Sequence, residues 1–122
     1  LVVVPLGVVV LEEVAFRGVL WGLVEVDHGA LWAGAVTSVL FGVWHVLPAV
    51  DGARANSAEG TPGAGHHTRQ VVGTVAFTIL GGAVFAVLRH QSGSLLAPFL
   101  LHWATNGLGI VAAAWAWAVH AD

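Results

Sequence analysis

Residues 11–18 read L-E-E-V-A-F-R-G and set three charged side chains inside an otherwise apolar run. Residues 1–11 are all apolar, Gly or Pro, and residues 19–24 carry no charge. Charge is costly there, in lipid or in a dry core. Such groups face a bundle interior or a cavity, pair with one another and mark function. The spacing agrees. On a helix Glu13 and Arg17 are four apart with the acid N-terminal, the favourable order for an ion pair on one face. Glu12 then points about 100° away, because an α-helix has roughly 3.6 residues per turn. One glutamate can hold the arginine while the other stays free for chemistry. The bland alternative is a salt-bridged kink with no chemical role.

Composition settles the class. The 122 residues are 57% hydrophobic and 9% charged, whereas soluble domains are about a quarter charged. A soluble chain this short has too little interior to hide that much apolar surface. A net charge of −3 offers nothing to nucleic acid. The absence of cysteine excludes thiol chemistry. The chain opens on Leu in mid-run with no basic leader and no cleavage site, so it reads as a piece of a longer membrane protein.

Hydrophobic patterning predicts an all-α integral membrane bundle of about four antiparallel transmembrane helices, as one domain over residues 1–122. The first span is 1–24, long enough to cross a core of roughly 30 Å. Pro5 is expected to kink it or mark its start, and Trp21 is expected at the membrane interface. Residues 25–29 form a polar turn closed by glycine. The second span is 30–50, with His45 as its only ionisable group and Pro48 expected to end or bend it. Residues 51–70 read as a solvated Gly-rich loop. Its His66-His67 pair could bind metal but reads more simply as solvated. The third span, 71–88, reads as a packing helix without chemistry. After a turn at 89–94, with Ser94 placed as a helix cap, the fourth span runs over 95–119. It carries His102 and Asn106 on one face, and Trp115 and Trp117 as an interfacial belt.

Three spans thus carry groups of catalytic type. They are Glu12, Glu13 and Arg17 on the first, His45 on the second, and His102 and Asn106 on the fourth. Peptide hydrolysis needs such a set. A glutamate takes a proton from water, a histidine shares that task or ligates a metal, and a histidine or asparagine donates to an oxyanion. Taken alone, each could be an interhelical hydrogen bond.

The ordered set E-E-V-A-F-R-G, F-G-V-W-H and H-W-A-T-N resembles the CPBP family. These are the CAAX-processing and bacteriocin-processing intramembrane proteases, also called Abi proteins, related to the type II CAAX prenyl endopeptidases. The family patterns are E-E-x-x-x-R, F-x-x-x-H and H-x-x-x-N or D. The segment R-H-Q-S-G-S-L-L-A-P-F-L-L-H is also similar to the family's turn into its last motif helix. The resemblance spans roughly residues 5–106.

The resemblance implies an endopeptidase in which Glu12 activates water and His45 is second base or metal ligand. His102 and Asn106 stabilise the oxyanion or complete a metal site. Glu13 and Arg17 support the first motif, and Phe41 packs beside the site. A divalent metal such as zinc on Glu12, His45 and His102 is one form of the chemistry. A metal-independent form is the one the sequence favours, since it has no H-E-x-x-H. The implied partners are the lipid bilayer and a membrane-associated or prenylated peptide or protein, in a multi-pass protein of the plasma membrane. Two rivals stand beside this reading. One is a non-enzymatic immunity or scaffold protein of the same fold. The other is a proton carrier, for which the third span offers only Thr74 and Thr78.

Overall fold

The computed structural model describes residues 3–58 and 64–120. It is helical nearly throughout, with no strand among the described residues. Helix α1 is Val3–Glu13, and a π-helix, Val14–Leu20, follows it directly. Helix α2 is Trp21–Trp44, α3 is Val46–Ala58, α4 is Ala64–Ser92 and α5 is Leu96–His120.

Gly29 breaks α2 into two limbs, because its φ of 82° and ψ of 170° are not helical. A side chain rarely adopts that backbone, so glycine is required at this reversal. The chain doubles back there. Phe16 meets Phe41, Glu12 reaches His45, and Trp21 packs on Ala33. Three helical stretches are long and apolar enough to cross a membrane, namely Leu6–Ala55, Gly65–Ser92 and Leu96–Val119. The first, 50 residues long, contains the reversal. The three stretches therefore supply four antiparallel limbs.

Helix α4 packs antiparallel on the second limb of α2 through small residues. Ala86 lies against Gly34, Gly82 against Ser38, and Ile79 against Gly42. Helix α5 returns along the first limb, with Leu95 beside Gly18 and His102 beside Glu13.

Several boundaries differ from those expected. Pro48 bends the second span without ending it. Proline cannot donate to the carbonyl one turn back, that of Trp44. The chain loosens at His45 (φ −86°, ψ 0°) and then continues as α3. Residues 51–58 and 64–70, expected in a loop, are therefore helical. Burial of Ala49 and Ala53 ties α3 into the bundle, and packing of this kind overrides weak helix propensity. His66 and His67 sit in the first turns of α4. That helix also runs on through Arg89 to Ser92. The turn is at Gly93 (φ 63°), and Ser94 Oγ caps α5 by accepting from Leu96 N at 3.1 Å. Trp21 does not face outward. It is 2% exposed, wedged between Ala33 and Ala86.

Candidate active site

Glu12 and Glu13 end α1, Arg17 lies in the π-helix, and all three are buried. The expected ion pair forms, with Arg17 Nη1 donating to Glu13 Oε1 at 3.1 Å. Arg17 Nη2 donates to the Gly82 carbonyl of α4 at 3.2 Å. The guanidinium also lies 4.3 Å from the Phe41 ring centroid and 5.1 Å from that of Phe85. The electron-rich ring faces replace part of its lost hydration.

The bend at His45 fixes that side chain. Its backbone N–H bonds to Gly42 O at 3.1 Å and leaves Phe41 O, its ordinary helical partner, to another donor. His45 Nδ1 donates to Phe41 O at 2.8 Å. A carbonyl only accepts, so the proton of a neutral His45 is on Nδ1 and the Nε2 lone pair is free. That Nε2 lies 4.0 Å from Glu12 Oε1.

His102 reaches the same carboxylate from α5. Its Nδ1 donates to Glu13 Oε1 at 2.8 Å, and its Nε2 lies 3.5 Å from Glu12 Oε2. Phe85 stacks on the His102 ring at 4.8 Å, and Phe41 meets it edge-on at 5.5 Å. One imidazole thus spans both glutamates, and two Nε2 atoms from different helices face Glu12. Neither approach is short enough for a good hydrogen bond. Glu12 and the two imidazoles border the gap between them.

Of the residues named from sequence, Glu12, Glu13, Arg17, Phe41, His45 and His102 come together here. Asn106, one turn beyond His102, is exposed and takes part in none of these contacts. Four contributors were not singled out. Trp44 Nε1 donates to Glu12 Oε1 at 3.0 Å, and its place beside His45 in F-G-V-W-H was the available signal. The other three lie on α4, so the third span is not a bare packing helix. They are the Gly82 carbonyl, Phe85 and Arg89, whose Nε donates to the Arg17 carbonyl at 3.1 Å.

A family model described as type II CAAX prenyl endopeptidase Rce1-like matches residues 1–108. The chain belongs to the Rce1-like family. It is accordingly a multi-pass membrane protein of a CAAX-type protease family, in contact with the bilayer and with peptide at the membrane. Comparison with curated proteins gives no match, nor does comparison with solved structures.

The Rce1-like site can be tested against the zinc that its donor types suggest. Glu12, His45 and His102 are of the kind a catalytic zinc takes, and both imidazoles have the Nδ1 partners that such ligands carry. Yet no group of three or more His, Cys, Asp or Glu among the described residues is arranged to hold an ion.

Proposed function

We propose that this chain is an intramembrane endopeptidase that hydrolyses a peptide bond of a membrane-associated or prenylated peptide or protein. The observation that carries the reading is the meeting of two imidazole Nε2 atoms with a buried carboxylate, at 4.0 and 3.5 Å from Glu12. A water molecule seated beside Glu12 and the two imidazoles has two protons to give. Glu12 takes a proton as the water oxygen attacks the peptide carbonyl carbon, and His45 steadies the second proton. The carbonyl π electrons move onto oxygen. Glu12 passes its proton to His102 Nε2, 3.5 Å away, whose N–H then donates to the oxyanion beside Asn106, one turn along α5. His102 hands the same proton to the amide nitrogen as the oxyanion electrons re-form the C=O bond and the C–N bond breaks.

The test is cleavage of a peptide library, with prenylated and unprenylated members, by the full-length protein in liposomes. Wild type is compared with Glu12→Gln and His45→Ala, each with and without chelator. Loss of turnover in both variants supports the assignment. Turnover that survives either one overturns it. A chelator-sensitive wild type would overturn the metal-free route while leaving the peptidase.

A further inference from the structure

The π-helix beside the glutamates leaves a carbonyl to be satisfied. In a regular helix the Trp21 N–H would bond to Arg17 O, four residues back. Here it bonds to Gly18 O and Phe16 O and passes over Arg17 O. A passed-over carbonyl in an apolar bundle costs free energy unless another donor reaches it. Arg89, 72 residues on, supplies its Nε at 3.1 Å. The Arg89 guanidinium also lies 6.0 Å from the Trp21 ring, which steadies its direction.

Helix α4 therefore holds Arg17 at both ends. Gly82 O takes the side chain and Arg89 takes the backbone. Seven residues separate them, close to two helical turns, so they share a face with Phe85 between. Arg17 in turn holds Glu13, and Glu13 holds His102. Short π-segments inside α-helices are frequent at functional sites.

We propose that Arg89 is a positioning residue for the reaction. Its Nε–H closes the π-turn that presents Glu12 and Glu13 to the two histidines. The consequence for turnover rests on the peptidase reading above. The closure of the turn does not.

The atom involved makes the test specific. In Gln the side-chain amide nitrogen is as many bonds from the backbone as Nε is in Arg. Arg89→Gln therefore keeps a donor in place and loses the charge. Arg89→Lys keeps the charge and moves the donor one atom further out. Arg89→Met has neither. In the full-length protein in liposomes, with a fluorogenic farnesylated peptide as probe, Met and Lys should lower kcat about tenfold with KM unchanged. Gln should stay within about twofold of wild type. Infrared spectra of protein with a 13C label on the Arg17 carbonyl supply the second readout. The labelled band should move to higher frequency in Met and Lys and stay in place in Gln. Activity retained in Lys and lost in Gln would overturn the proposal in favour of a charge effect, as would a band indifferent to all three variants. Absence of turnover in wild type, with the band shifts intact, would sink the peptidase reading alone and support the closure of the turn by Arg89.

Discussion

Glu12 and Glu13 are neighbours in sequence and make different contacts, because one imidazole has nitrogens on two edges. His102 gives its Nδ1 proton to Glu13 and turns Nε2 toward Glu12. Glu13 is thereby committed twice, to His102 and to Arg17. The two amide substitutions should separate cleanly. Glu12→Gln should cost at least about a hundredfold in turnover, the scale of a lost general base, with thermal unfolding in nanodiscs little changed. Glu13→Gln strands a buried guanidinium, and breaking such a pair costs about 3–5 kcal/mol. Its unfolding temperature should fall even where activity persists. The opposite pattern would exchange the roles of the two residues. Trp44→Phe tests the remaining contact. It keeps the ring, removes the Nε1–H that orients Glu12 Oε1, and should lower kcat about tenfold, the scale of a hydrogen bond to a charged group. The Glu13–Arg17 pair was legible because both partners lie one helical turn apart. The Glu13–His102 bond spans 89 residues, and no local spacing reports it.

At the scale of elements, the spans were legible from apolar run lengths, and their ends were not. Residues 51–58, D-G-A-R-A-N-S-A, have loop composition, yet Ala53 is small and apolar and buries against the bundle. The π-helix was also invisible, since E-E-V-A-F-R-G supports the same ion pair in either helix type. Nor could sequence say which glycines are contacts. Gly42 is one, because a Cβ there would overlap Ile79. Gly73 is not, having open space around it. Gly42→Ala should therefore destabilise the α2–α4 seam by about 1–3 kcal/mol, the usual cost of overpacking. Adding Ile79→Ala should restore part of that loss, while Gly73→Ala should cost nothing measurable. Thermal unfolding of the three variants checks this, and equal effects at Gly42 and Gly73 would contradict the packing described.

The whole molecule is apolar outward and polar inward. Val26, Leu31 and Trp117 are each more than three-quarters exposed, while Glu13 and Arg17 are at most 1% exposed. Lipid accepts the first group, and the four limbs shelter the second. Their alternation places the Gly29 reversal and the Gly93 turn at one end, since His90 lies beside Trp21 and α4 runs antiparallel to the second limb. The opposite end joins α3 to the start of α4, where Val50 and Arg54 line a cavity with His67 and Val71. Glu12 lies 17 residues before Gly29 and its partner His102 nine after Gly93, so the carboxylate sits within the bundle; of the two imidazoles on it, His45, beside α3, is the more open to the outside. Water and a peptide should therefore enter from the Arg54 side. The chain has no cysteine, so single-cysteine variants report topology without background. With an impermeant maleimide on sealed vesicles, cysteines at His28 and Gln91 should label from one face and those at Arg54 and Arg69 from the other. Peptide added outside should be cut only in vesicles whose Arg54 face is outward. Labelling of all four positions from one face would overturn the four-limb crossing. Cleavage from the Gly29 face alone would keep the crossing and reverse the route by which substrate reaches Glu12.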